Sequence, residues 1–263
     1  MNRLIKISIT ALLLIMPANL ASAEPGMDSP FSLGVGAREL ALSGSSSAAC
    51  DPVYAAYWNP SVLARAQQFS LSLFHTTLYD PDVIYQYFGL SFPTLDYGTF
   101  GLGVFRLGVN GIERRDANNL LLGSFDDSRL ALNMAYARNI AGYDLGLALT
   151  LERHSLESYS ATSSPGLNLS LSRRFNSGMP WLPQITAGIN ARNIIRPSIK
   201  ILNENIKYPY TFDASMAVSL IPKHDWNQNI LLTTGVVKED MVDPLFSAGL
   251  EYSFYGLIHL RTS

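Results

Sequence analysis

The sequence predicts an all-β fold, an antiparallel transmembrane β-barrel preceded by a secretory leader and an irregular N-terminal plug. Three observations predict it. Apolar residues recur at every second position from about residue 68 onward, several alternating runs are long, and the chain is apolar without being charged. Of 263 residues, 48% are hydrophobic and 15% charged, and the mean hydropathy is +0.12. A soluble domain carries nearer a quarter charged residues, and a helical membrane protein is greasier. Strands that alternate reconcile the two, because half of each strand can face lipid while the average hydropathy stays modest.

The leader comes first. Arg3 and Lys6 precede an apolar run at residues 7–16, Pro17 breaks it, and Ala21-Ser22-Ala23 offers the small residues a signal peptidase reads. Residues 1–23 are therefore expected to be a signal peptide cleaved after Ala23. Two of the 19 basic residues leave with it, so 17 remain against 21 acidic ones, a net charge of −4. No nucleic-acid partner follows from such a chain. Cys50 is the sole cysteine, which excludes an internal disulfide framework and a Cys-based zinc cluster. The longest uncharged stretch after the leader, residues 175–191, is broken by Pro180 and Pro183. Any membrane crossing must then use a closed sheet, the other structure that satisfies its backbone in lipid.

Residues 24–67 do not alternate. Gly34, Gly36 and Gly44 punctuate them, and residues 37–42 suit a short helix ended by Ser43-Gly44. Asn59-Pro60 reads as an N-cap followed by proline at the first helical position, opening a turn over residues 61–66. An irregular segment of this size is expected to be a plug, or hatch, inside the barrel; a periplasmic extension is the alternative.

Residues 68–263 carry the strands, placed at 68–75, 84–92, 97–107, 128–138, 142–153, 166–174, 184–193, 210–220, 228–238, 244–254 and 257–263. In the fifth, Leu145, Leu147, Leu149 and Leu151 alternate with Asp144, Gly146, Ala148, Thr150 and Glu152, a period of two. The opposing face is small and neutral in most strands, as a narrow lumen requires. Tyr85, Tyr87, Phe92, Tyr97, Tyr136, Tyr143, Tyr252, Phe254 and Tyr255 lie near strand ends and suit interfacial girdles. Odd-numbered connections run to about 8, 20, 12, 16 and 5 residues and even ones to about 4, 3, 9, 7 and 2. The first holds the turn signature Tyr79-Asp80-Pro81-Asp82. Long external loops and short periplasmic turns produce such asymmetry. A secreted β-sandwich also alternates and stays open as an alternative. Eleven strands is odd, whereas bacterial single-chain barrels have even numbers, so the barrel is expected to be truncated at its C-terminal end.

No catalytic constellation stands out. His75, His154, His224 and His259 fall on separate elements, and no nucleophile elbow, zinc-spaced pair or calcium loop surrounds the acids. Neither enzyme activity nor a metal or cofactor is expected. Two external loops mix apolar side chains with cations. One holds Ile112, Leu121 and Phe125 beside Arg114 and Arg115; the other holds Ile199 and Ile201 around Lys200. Such loops suit an amphiphile with an anionic head or a protein partner, or they pack on one another.

The plug also carries a resemblance. Gly34-Val35-Gly36-Ala37-Arg38-Glu39-Leu40-Ala41, followed by Ala55-Ala56-Tyr57-Trp58-Asn59-Pro60-Ser61-Val62-Leu63-Ala64, resembles the N-terminal signature of the PorV/PorQ family of FadL-like outer-membrane proteins. Ser61 and Val62 depart from it, standing where the family has Ala-Gly. The resemblance implies a fourteen-stranded barrel with the hatch inserted from the periplasm. It also implies a place in the bacterial outer membrane, with membrane lipid around the barrel. Two functions come with it: type IX-like protein secretion or surface export, with secretion-system partners, and FadL-like uptake of long-chain fatty acids or other hydrophobic compounds. A soluble secreted β-protein is the third reading.

Overall fold

The computed structural model of the chain describes residues 31–78, 80–201, 204–221, 227–240 and 242–263. The signal peptide at residues 1–23 and the first residues of the expected plug, 24–30, lie outside the described residues.

Fourteen strands follow an irregular start: β1 (Ser70–Leu78), β2 (Asp80–Thr94), β3 (Gly98–Arg115), β4 (Leu121–Ile140), β5 (Tyr143–Leu156), β6 (Tyr159–Thr162), β7 (Gly166–Met179), β8 (Leu182–Ile195), β9 (Ser198–Ile201), β10 (Glu204–Lys207), β11 (Thr211–Leu220), β12 (Gln228–Glu239), β13 (Leu245–Phe254) and β14 (Ile258–Thr262). Eleven of them form one antiparallel meander in the order β1-β2-β3-β4-β5-β7-β8-β11-β12-β13-β14. They match the eleven expected strands one for one. Of the rest, β6 pairs with the end of β5, and β9 with β10 form a separate hairpin. Among the described residues β1 and β14 do not pair, so the sheet has two edges and is not a closed barrel.

Several strands outrun their apolar cores. The expected loop at residues 76–83 is mostly strand, with Leu78 paired to Asp80. The long third connection is a projecting hairpin in which Ile112 faces Phe125 and Arg115 faces Leu121 across bulges, leaving a tip at residues 116–120. Ladder hydrogen bonds continue wherever two chains run side by side, whether or not the side chains alternate in polarity. Apolar period two therefore marks only the middle of such strands.

The sheet is inverted relative to a soluble one. On β5, Leu145, Leu147 and Leu149 are each 40% exposed or more, whereas Asp144, Ala148 and Glu152 on the other face are buried. On β7 Leu169 points out, and Asn168, Ser170 and Ser172 are buried. On β11 Phe212 is outward, and Asp213, Ser215 and Ala217 are inward. Water normally drives the apolar face of an antiparallel sheet to be covered. Here the polar face is the covered one.

The cover is the N-terminal segment. It contains α1 (Ala37–Ala41), α2 (Ala55–Trp58) and three 3-10 turns at Ser47–Ala49, Pro52–Tyr54 and Pro60–Arg65. The expected helix ends where predicted, with Ser43 and Gly44 both at positive φ. Asn59 caps the last turn by accepting the Ser61 N–H, as its sequence implies. The segment bonds to strands along the whole meander, from Tyr54 Oη to Ser72 Oγ on β1 (2.5 Å) to Arg38 Nε on Glu251 Oε2 of β13 (2.9 Å). One short segment can reach both only if the sheet curves around it.

Most of the expected aromatic girdle lies at one end. Phe92, Tyr97, Tyr143 and Tyr255 are exposed at the short-turn ends of their strands, joined there by Phe69, Phe100, Phe175 and Trp181. Tyr85 and Tyr87 are a correction. They are 1% and 2% exposed and face inward, where they pack with Phe31, Tyr57 and Phe105. Their positions on β2 share the parity of Gly89 and Ser91, which also face the segment.

Candidate functional site

The residues singled out in the N-terminal segment come together on the concave face. Trp58 is the hub. Its Nε1 donates to the Val35 carbonyl at 2.8 Å, and its ring packs edge-on against Tyr57, centroids 4.9 Å apart. Gly34 and Gly44 flank that ring so closely that a side-chain carbon on either would come within 2.8 Å of it. Both also hold positive φ, 85° and 66°, which glycine adopts at no steric cost. Gly36, likewise at positive φ, precedes α1, which Ala37 opens. The glycine spacing and the tryptophan therefore belong to one packing unit.

The Asn59-Pro60 block docks on β5, β7 and β8. The Ser61 N–H donates to Ser170 Oγ at 2.7 Å, and Asn190 Nδ2 donates to the Trp58 carbonyl at 2.9 Å. Arg65 completes the contact. Its Nε donates to Asp144 Oδ2 at 2.8 Å, Nη1 to the Ala48 carbonyl at 2.6 Å, and Nη2 to Ser172 Oγ at 2.6 Å. Both members of this pair are nearly buried, so their attraction is little screened by water.

A second anchor holds the other end. Arg38 and Arg261 both donate to Glu251 Oε2, at 2.9 and 2.6 Å, and Arg38 also reaches the Ala49 carbonyl. Ser47 Oγ donates to Asp213 Oδ1 at 2.8 Å, and Ser45 shares a hydrogen bond with Thr233. Beside Arg38, Glu39 is wholly buried; Oε1 accepts from the Asp51 N–H, while Oε2 has no hydrogen-bond partner among the described residues. Burial pushes its carboxyl above the ordinary range, opposed by the Asp51 N–H. Burial also drives the Cys50 thiol well up. It sits among Ala55, Ala56, Val62 and Leu63 as a small apolar group, not as a nucleophile.

On the long-loop side of the segment lies a cavity of about 440 Å³. Phe31, Leu40, Tyr57 and Trp58 form its floor, and Tyr208 and Pro209 line it from the connection between β8 and β11. Its strand walls bring Glu152, Asp213, Glu239 and Arg192 together with Asn133 and Asn168. Sequence reading missed all of these polar residues. A signal was present, because acids at inward parity among serines and glycines are costly unless they are paired.

The two loop groups are placed apart from the segment. Ile112, Arg114, Arg115, Leu121 and Phe125 occupy the projecting β3–β4 hairpin, where Arg114 pairs with Glu157 and Arg115 with Glu113. Ile199 is buried in β9, Lys200 is exposed, and Ile201 ends that strand. The β9–β10 hairpin folds over β6, with Tyr159 Oη donating to the Lys200 carbonyl. Ile199 thus packs within the loops. Of the four histidines, His154 pairs with Asp127, His75 contacts Gln86 and His259 contacts Ser253. His224 lies outside the described residues. No family model matches the chain, and no curated protein matches it in sequence.

Proposed function

We propose that the chain is an outer-membrane β-barrel of PorV/PorQ type, with residues 24–67 as its hatch, acting in type IX-like protein secretion or surface export. The observation that carries this reading is the joint placement of the Gly34-to-Pro60 signature and the inverted sheet. The signature residues pack on the polar concave face, while leucines and phenylalanines cover the convex face. A convex apolar face with an aromatic rim at one end matches the lipid-facing band of membrane barrels. In a closed barrel the edges of β1 and β14 would no longer be free.

Uptake of long-chain fatty acids is the weaker reading. Glu152, Asp213 and Glu239 line the cavity beside Arg192, so a fatty-acid carboxylate there would meet more acidic than basic side chains. The test is expression in a Gram-negative host, with membrane fractionation, heat-modifiable gel mobility and crosslinking to secretion components. A heat-modifiable outer-membrane band that crosslinks to such components supports the reading. Recovery as a soluble periplasmic protein overturns the barrel, and an outer-membrane band without any secretion partner overturns the export role.

A further inference from the structure

We propose that Arg138 and Arg173 form a headgroup site for an anionic phospholipid on the convex face, at the short-turn end of the sheet. The site rests on the barrel reading above and adds a ligand that the reading does not name. Three observations carry it.

The first is position. On β4 the inward residues Asn133, Ala135 and Ala137 are buried, and Arg138 continues the outward series of Leu132, Met134 and Tyr136. On β7 Arg173 continues the outward series of Leu169 and Leu171. Both cations therefore stand on the apolar face, which tolerates charge near its ends and not at its middle. Register brings them together. Arg138 is opposite Leu145 of β5, and Leu145 is opposite Leu171, two residues from Arg173. Strand spacing and rise then put the two Cα atoms about 12 Å apart, so both side chains can reach one group between them.

The second is charge without a counter-charge. Among the described residues neither arginine forms an ion pair. Asp144 and Glu152, the acids of β5, are buried on the other face, and Asp144 is taken by Arg65. Asp96, in the β2–β3 turn at the same end, pairs with neither arginine. An anion on this patch meets two guanidiniums and no described carboxylate on β4, β5 or β7.

The third is a guanidinium already held in place. Arg173 Nη1 donates to Tyr143 Oη at 2.7 Å, and its guanidinium carbon lies 4.5 Å from the Tyr143 ring centroid and 5.0 Å from that of Phe175. Ring faces attract such a cation. Tyr143 opens β5, so the fork leans over the strand that separates it from Arg138. One of its five N–H donors is used, and the rest suit a phosphodiester, which guanidinium binds bidentately. The source of the phosphodiester follows from its surroundings. Leu145, Leu147 and Leu149 are exposed in a row leading from the patch toward the long-loop end, a track for acyl chains that a free phosphate does not need.

The test is native mass spectrometry of the full chain, folded in detergent micelles and titrated with phosphatidylglycerol or phosphatidylcholine. One phosphatidylglycerol should be retained about twentyfold more tightly than phosphatidylcholine, about fivefold for each guanidinium. Arg138→Gln and Arg173→Gln should each lower that preference about fivefold. Arg106→Gln removes an outward cation nearer the long loops, where Arg106 lies opposite Leu130, and should leave the preference unchanged. Glycerophosphoglycerol, the same headgroup without acyl chains, should not displace the lipid at equal concentration. Flotation with phosphatidylcholine vesicles and heat-modifiable mobility are read on the same preparation. A chain that neither floats nor shifts overturns the barrel reading and this site with it. A chain that does both without preferring phosphatidylglycerol overturns the site alone. An equal loss in Arg106→Gln, or displacement by glycerophosphoglycerol, also overturns it. Heat-modifiable mobility identifies folded variants; if none folds, the lipid preference and the displacement on the unaltered chain decide.

Discussion

A side-chain carbon on Gly146 would sit 2.2 Å from the backbone nitrogen of Ser61. Nothing in the segment can give way cheaply there, because the opposing atoms are main chain of Pro60 and Ser61. Glycine at this inward position of β5 is what allows the Ser61 N–H to reach Ser170 on β7.

Gly146→Val should therefore lift the 59–65 turn off the sheet. The expected loss is about 1–3 kcal/mol, the usual cost of overpacking. Limited proteolysis should show cleavage within residues 31–67 far sooner than in the unaltered chain. Gly108→Ala is the control, since its nearest neighbour is the Arg106 side chain at 3.8 Å. Equal resistance of the two variants would show that the turn does not bear on β5.

Arg65 and Asp144 join the segment to the same strand. With side chains 9% and 3% exposed, removing one member leaves a buried charge with little compensation. Arg65→Met should cost about 3–5 kcal/mol, because among the described residues Asp144 then keeps only the Asn139 amide as a side-chain partner. Arg65→Met combined with Asp144→Leu should recover part of that loss. Urea unfolding in micelles, arranged as a double-mutant cycle, measures the coupling. A coupling below about 1 kcal/mol would mark the pair as solvent-screened.

Glu39 predicts a pH effect of opposite sign to that of an ordinary paired carboxylate. Burial raises its folded pKa above that of a free glutamate, so between the two values the folded state holds a proton that the unfolded state has lost. Its contribution is fully present below the unfolded value and lost as pH rises through the folded one. Relative to Glu39→Gln, the unaltered chain should thus gain stability on acidification from neutrality. Hydrogen exchange of the α1 amides across that range reports the difference. A pH-independent difference, or one growing more negative on acidification, would show that Glu39 is ionised without cost.

The meander was legible in the sequence because a sheet with one apolar and one polar face imposes period two on each strand. Leu145 to Leu151 against Asp144 to Glu152 is enough to assign both faces of β5. The ends of the strands were not legible. Arg114 and Arg115 remain in a ladder that depends on backbone hydrogen bonds, which leave no apolar signature. Within the segment, Trp58, Asn59 and Pro60 were readable because a cap and a glycine pattern are local features. The segment's partners on the sheet were not, since Ser170, Asn190 and Glu251 lie more than a hundred residues from Ser61, Trp58 and Arg38 and read as ordinary strand polarity until the sheet curves. Tyr85 and Tyr87 misled for a related reason: aromatic residues near a strand end serve a girdle or a core, and parity on β2 decides which.

The central claim is that the convex face of the sheet meets lipid while the concave face meets the N-terminal segment. A nitroxide scan through residues 143–152 of β5 in reconstituted bilayers tests it most directly. Labels at 145, 147, 149 and 151 should collide freely with oxygen and poorly with a water-soluble nickel reagent, and labels at 144, 146, 148 and 150 should be shielded from both, giving a period of two. Collision with the nickel reagent at the odd positions, or the absence of any alternation, would contradict the account.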